Sequence, residues 1–165
     1  MAAEILLIGV LPLLLILAGG WDLVTYTIPN ALSLALVLAF AGFALVAALP
    51  LPLIGSHLAA GLIGLVLGMV FFACRFIGGG DAKVFAAAAL WFGLQDLLLY
   101  ALTASIVGGG FTLLLLFWRK FPLPSWLYRY GWVCRLHDSK AGIPYGVALA
   151  VGGILILPGS EVFLG

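Results

Sequence analysis

The sequence is short of charge. Thirteen of its 165 residues are acidic or basic, 8% of the chain, against roughly 25% in an ordinary soluble domain. Seven cations and six anions cannot cover a chain that is 65% hydrophobic. A soluble enzyme, a disordered chain and a nucleic-acid binder are thereby excluded, and an integral membrane protein remains. A net charge of +1 offers no strongly basic surface to a partner. Cysteine is scarce too. Cys74 and Cys134 each stand beside an arginine and form no C-x-x-C pair, so neither a zinc site nor a disulfide framework follows, and they read as inert thiols. Lys and Arg are missing from the first four residues. The first apolar run therefore lacks the positive flank of a signal peptide.

What the sequence has is long apolar runs. A membrane helix needs about 20 apolar residues, so a chain of this length with short loops holds about six. The expected fold is all-α: a polytopic bundle of about six transmembrane helices in a single membrane-embedded domain over residues 1–165. The spans read as Ile5 to Gly20, Ala31 to Leu49, Ser56 to Cys74, Ala82 to Leu94, Leu97 to Trp118 and Ala141 to Leu157. Pro50 and Pro52 break the chain after the second, the run RFIGGGD after the third, and Gln95-Asp96 after the fourth. The only long polar segment is 119–140.

All seven cations fall in two loops. Arg75 and Lys83 flank the glycine run, and Arg119, Lys120, Arg129, Arg135 and Lys140 lie in or beside 119–140. Six spans place both loops on one side, with the loop after Asp22. The positive-inside rule makes that side cytoplasmic and puts both termini, with Glu4 and Glu161, outside. Segment 119–140 interleaves aromatics with its basic residues, which suits a chain lying at headgroup level. It reads as an interfacial anchor or as a docking platform for a membrane-held substrate.

Two of the acids stand out. Asp22 ends the first span in WDLVTYTIPN, and Asp81 separates the third and fourth in GGGDAK. An aspartate at a membrane helix centre costs of order 2.5–3.5 kcal/mol on insertion scales, and both are expected at one cytoplasmic boundary. If they meet, one keeps its proton because two adjacent carboxylates do not both ionise easily. The charged one can then draw a proton from water while the other donates to a scissile carbonyl. Gly78, Gly79 and Gly80 are expected to allow unusual backbone angles and a close substrate approach beside Asp81.

The pattern D-x5-I-P-N at Asp22, Ile28, Pro29 and Asn30, followed by G-x-G-D-x-K at Gly78, Gly80, Asp81 and Lys83, resembles the type IV prepilin peptidases over nearly the whole chain. Ile143-Pro144-Tyr145-Gly146 is similar to the short branch that serves Flp/Tad-type pili. The resemblance implies a multi-pass enzyme of the bacterial inner membrane with its active site facing the cytoplasm. Such an enzyme would remove the short basic leader of prepilin-like membrane proteins by cutting after a glycine. It implies Asp22 and Asp81 as the catalytic pair, with no metal or cofactor. Larger members add a segment with paired C-x-x-C motifs and methylate the new N-terminus. With neither a methylation nor a zinc domain, this chain is expected to cleave only.

Around the pair, Lys83 is expected either to tune Asp81 or to serve as an orientation charge. Pro29 suits the first turn of the second span, and Asn30 is expected to cap it or to bond near Asp22. Ile28, Pro29, Asn30 and the three glycines are read as shaping the site. Asp96 falls on the far face, and His57 and His137 on opposite sides. Asp138 reads as a solvated ion pair. Gly64-x3-Gly68 reads as a helix-packing pattern. A different class, a small proton- or ion-coupled transport subunit, would use the same acids, but it expects them near the midplane and an internal repeat. A presenilin-like protease also uses a G-x-G-D aspartate; the I-P-N context, and the lack of P-A-L near the last span, favour the prepilin branch.

Overall fold

The computed structural model describes residues 5–160. A wide turn, Ile5–Val10, leads into α1 (Leu11–Thr25). There follow α2 (Asn30–Val46), α3 (Leu51–Ala73), α4 (Gly79–Trp118), α5 (Gly131–His137) and α6 (Gly146–Ile156). No strand occurs among the described residues. Ile8–Thr25, Leu51–Ala73 and Gly79–Trp118 are long and apolar enough to cross a bilayer, and Asn30–Val46 and Gly146–Gly159 are shorter apolar helices. The surface is apolar: Leu45, Ile106 and Leu98 are exposed, whereas Asp22, His57, Asp81 and Asp96 are buried. That inversion of the soluble pattern is what hydrocarbon surroundings demand. The protein is an all-helical integral membrane protein. The expected positions of Glu4, Glu161 and both termini lie outside the described residues.

α4 is not one straight rod. The rings of Phe85 and Tyr100 stack with centroids 5.4 Å apart, although fifteen residues of straight helix would separate them by about 22 Å. The chain reverses at Gly93, whose φ of 70° and ψ of −179° are open essentially to glycine alone. Residues 79–92 and 94–118 are therefore antiparallel arms. The neighbouring α3 secures the reversal: the Leu94 N–H donates to Ser56 Oγ at 3.2 Å, and His57 Nδ1 lies 2.8 Å from the Leu90 carbonyl oxygen.

The reversal preserves the expected split between the fourth and fifth spans but moves it. Gln95 and Asp96 do not interrupt a helix; they open the second arm, because Gly93 makes the turn. Other boundaries also shift, among them the end of α1, which runs on from Gly20 to Thr25. α3 starts at Leu51 rather than Ser56, since Pro52 falls in its first turn, where a missing N–H costs nothing. α6 starts at Gly146 rather than Ala141, because Pro144 disfavours helix in the residue before it. Pro29 stands just before α2, with φ −59° and ψ 136°, rather than inside its first turn.

Small residues set the spacing of the bundle. Gly64 faces Ala86 and Ala89, and Gly68 faces Ala82, where an added Cβ would lie 3.0 Å from backbone atoms. The expected packing pattern thus joins α3 to the first arm of α4. On the other side of that arm, Trp91 donates its indole N–H to the Leu36 carbonyl of α2 at 2.9 Å and packs on Phe40 and Phe43. α6 lies along both α1 and the second arm, with Gly152 against Ala104.

This alternation of directions sorts the loops. Segments 26–29, 74–78 and 119–145 gather at one end of the bundle; 47–50, Gly93 and 157–160 gather at the other. All seven Lys and Arg residues belong to the first end. Two of them hold the long loop in place. Arg119 donates from Nε to the Leu136 carbonyl at 2.8 Å and from its terminal nitrogens to the carbonyls of Ala141 and Gly142. Arg135 donates to the Thr25 carbonyl at 3.2 Å. Asp138 does not form the expected ion pair: its carboxylate turns back to its own loop and accepts the Lys140 backbone N–H at 2.9 Å, as in a short polar turn.

Candidate active site

α1 delivers Asp22 in its last turn, and α4 delivers Asp81 in its first. Both are buried, at 4% and 6% exposure. They line one cavity of about 270 Å³ together with Tyr26, Thr27, Ile28, Gly78, Gly79 and Gly80. The two acids lie 59 positions apart in sequence, yet their carboxylates are near enough to interact electrostatically.

Each carboxylate is held by a backbone amide at the start of a helix. Asp22 Oδ2 accepts the Gly146 N–H at 2.8 Å. Gly146 is the first residue of α6, so its N–H has no partner within the helix and stands at the positive end of the helix dipole. Asp81 Oδ2 accepts the Gly78 N–H at 2.9 Å, at the start of its own helix. Asp81 Oδ1 is buried and makes no hydrogen bond within the chain. Unpaired buried polar atoms are rare enough to require an explanation.

The I-P-N stretch acts through packing. Ile28 is buried and wedged between the two helix starts. A Cβ on Gly80 would lie 3.1 Å from Ile28 Cβ, and one on Gly146 would lie 2.9 Å from Ile28 Cδ1. Ile28 thus sets the spacing between the elements that hold the two acids. The glycine run corrects an expectation. Gly78 has φ −74° and ψ 157°, and Gly93 is the glycine with positive φ among the described residues. Gly78 and Gly80 serve close approach, not unusual angles, because the Asp81 carboxylate and Ile28 occupy the space of their missing side chains.

Of the two roles expected for Lys83, the geometry speaks against tuning Asp81 and leaves that of an orientation charge. Its Nζ donates to Asn30 Oδ1 at 2.8 Å, tying α4 to α2. Two positions along a helix turn a side chain by about 200°, so Lys83 points away from Asp81. Asn30 spends its side chain on Lys83 and does not cap α2. Asp96 lies beside the Gly93 reversal at the opposite end of the bundle, as expected. Cys74 and Cys134 are free thiols.

Two participants escape a reading by local pattern. Gly146 supplies an amide across 124 positions, a pairing that no local spacing encodes. Tyr26 sits in the unspecified gap between Asp22 and Ile28. It ends α1 in the left-handed region, at φ 60° and ψ 23°, with its N–H on the Asp22 carbonyl. Such a conformation is uncommon for a bulky residue and gathers at functional sites. Burial pushes its phenol above the ordinary range, opposed by the Arg119 guanidinium beside it. The hydroxyl is therefore neutral at physiological pH and able to donate.

No curated protein and no solved structure matches the chain. A model of the type IV leader peptidase family matches residues 9–113, nearly two-thirds of the sequence, and that stretch contains Asp22, Ile28, Gly78, Asp81 and Lys83. With its membrane helices and its two buried acids at one cavity, the chain belongs to the type IV leader peptidase family.

Proposed function

We propose that this protein is a membrane aspartic endopeptidase that removes the leader of type IV, Flp/Tad-like prepilins, cutting after a glycine, with Asp22 and Asp81 as its catalytic pair. The observation that carries the reading is the one cavity lined by two buried carboxylates from different helices, one of which keeps an oxygen unbonded. Family membership supports the substrate class. The Flp/Tad branch and the cut after glycine rest on the sequence resemblance. The gathering of all seven cations at the site's end supports a cytoplasmic face, in the inner membrane of a bacterium.

The pair holds one proton between two carboxylates, and the two titrate as a unit. The charged member takes a proton from water as the oxygen attacks the scissile carbonyl carbon. The protonated member donates to the carbonyl oxygen. When the tetrahedral intermediate collapses, the first acid returns its proton to the departing amine, and the second recovers its own. Two amides at helix starts hold the carboxylates in place before substrate arrives, so little reorganisation accompanies the reaction. Ile28 and the glycines shape the cavity walls, and the Lys83–Asn30 bond ties the helix of Asp81 to α2. The whole reaction is assigned to the one membrane domain. A proton-coupled transport subunit would require acids near the midplane; here they lie at helix ends.

Asp22→Asn and Asp81→Asn are each expected to abolish leader removal while the protein still accumulates in the membrane. Co-expression with a prepilin-like substrate, read as the mass loss on cleavage, tests this. Normal cleavage by either variant overturns the assignment.

A further inference from the structure

We propose that Tyr26 is a third catalytic residue, whose hydroxyl donates a hydrogen bond to the scissile carbonyl as it becomes tetrahedral. The inference rests on the peptidase reading above and deepens it.

Three observations carry it. First, Tyr26 lines the same cavity as Asp22 and Asp81. Second, its hydroxyl is buried, and although the Arg119 guanidinium stands within reach of the oxygen, no acceptor in the chain takes the hydroxyl proton. A phenol can donate one hydrogen bond, and burying it unpaired costs stability. No acceptor in the folded chain takes that proton, so a reason other than folding keeps a free O–H donor there. Asp81 Oδ1, the other unpaired atom of the cavity, accepts when charged and donates when protonated. A polar group entering between them satisfies both. A peptide bond polarised by attack is such a group.

Third, the position is held at a cost. The backbone adopts φ 60° without being glycine, and the surroundings enforce it. The Tyr26 N–H is tied to the Asp22 carbonyl at 2.8 Å. The Arg135 guanidinium lies 5.9 Å over the Tyr26 ring while it donates to the Thr25 carbonyl. Arg119 stands within reach of the hydroxyl oxygen and is itself held by bonds to the carbonyls of Leu136, Ala141 and Gly142. Its positive charge polarises the phenol and strengthens it as a donor. The Tyr26 hydroxyl thus faces two cations, Arg119 and Arg135, and one acid, Asp22.

The test is Tyr26→Phe, which removes one oxygen and leaves ring and backbone in place. With a prepilin-like substrate in detergent or liposomes, kcat is expected to fall by about 10²-fold, the scale for losing one donor to a developing oxyanion. KM should change by less than about threefold, because the bond forms in the transition state only. The melting temperature should stay equal or rise. An unchanged kcat, a loss confined to KM, or a lower melting temperature would each overturn the proposal, the last by showing that the hydroxyl serves folding. Asp22→Asn is run alongside. If that variant cleaves normally, the peptidase reading has failed. If it is inactive while Tyr26→Phe cleaves at the full rate, only the role of Tyr26 has failed.

Discussion

At the scale of single residues, the site depends on atoms that are missing. Gly146 gives its amide to Asp22, and a side chain there would collide with what the amide holds. An added Cβ would lie 2.9 Å from Asp22 Cβ and from Ile28 Cδ1, and 3.0 Å from Asp22 Oδ2. Alanine is otherwise the better helix former by about 1 kcal/mol. Gly146→Ala should nonetheless lower kcat/KM by at least about tenfold, since a misplacement near 1 Å at a reacting group costs up to about 10²-fold. Gly109→Ala, where nothing lies within 4 Å, is the control and should keep the wild-type value. Wild-type cleavage by Gly146→Ala would show that the Asp22 contact is dispensable. Asp22, Asp81, Ile28 and the glycine run were legible in the sequence because their spacing is local. The I-P-Y-G motif marked Gly146 but not its bond to Asp22, and Tyr26 was not readable as a participant, because its hydroxyl's surroundings come from distant residues such as Arg119.

At the scale of elements, Gly93 decides how the arms of α4 pack. Its ψ of −179° at positive φ is nearly closed to other residues, and a Cβ would lie 3.3 Å from the His57 ring. Gly93→Ala is expected to destabilise the fold by about 1–3 kcal/mol through backbone strain, read as a lower melting temperature in detergent. Gly110→Ala, with open space around it, should be neutral or slightly stabilising. An undiminished melting temperature for Gly93→Ala would refute the strain argument. The short elements follow the same logic. Fourteen residues in 79–92 rise only about 21 Å, less than the roughly 30 Å of a bilayer core. The sequence pattern foresaw that this span was short. The nature of its end was hidden, because Gln95-Asp96 is the more polar pair and Gly93 the more strained residue.

At the scale of the whole molecule, charge and topology agree. Every Lys and Arg lies at the end of the bundle that carries the acids, and positive charge marks the cytoplasmic side. With Cys74 and Cys134 replaced by serine, Ser139→Cys in the exposed long loop should react with a membrane-impermeant maleimide in inverted vesicles and not in intact cells. Labelling from outside intact cells would reverse the assigned orientation. By itself the sequence determined the solvent, the helical class, the approximate number of apolar segments and the two conspicuous acids. Composition and local periodicity carry that information, because scarce charge in an apolar chain can stand only where burial is offset or chemistry needs it. Only the tertiary structure decided that Asp22 and Asp81 share one cavity, that Ile28 spaces their helices, that Lys83 turns to Asn30, and that an amide 124 positions away holds Asp22. Those are relations between helices, set by which small residues let backbones approach, and packing in three dimensions does not appear in the order of residues along a chain.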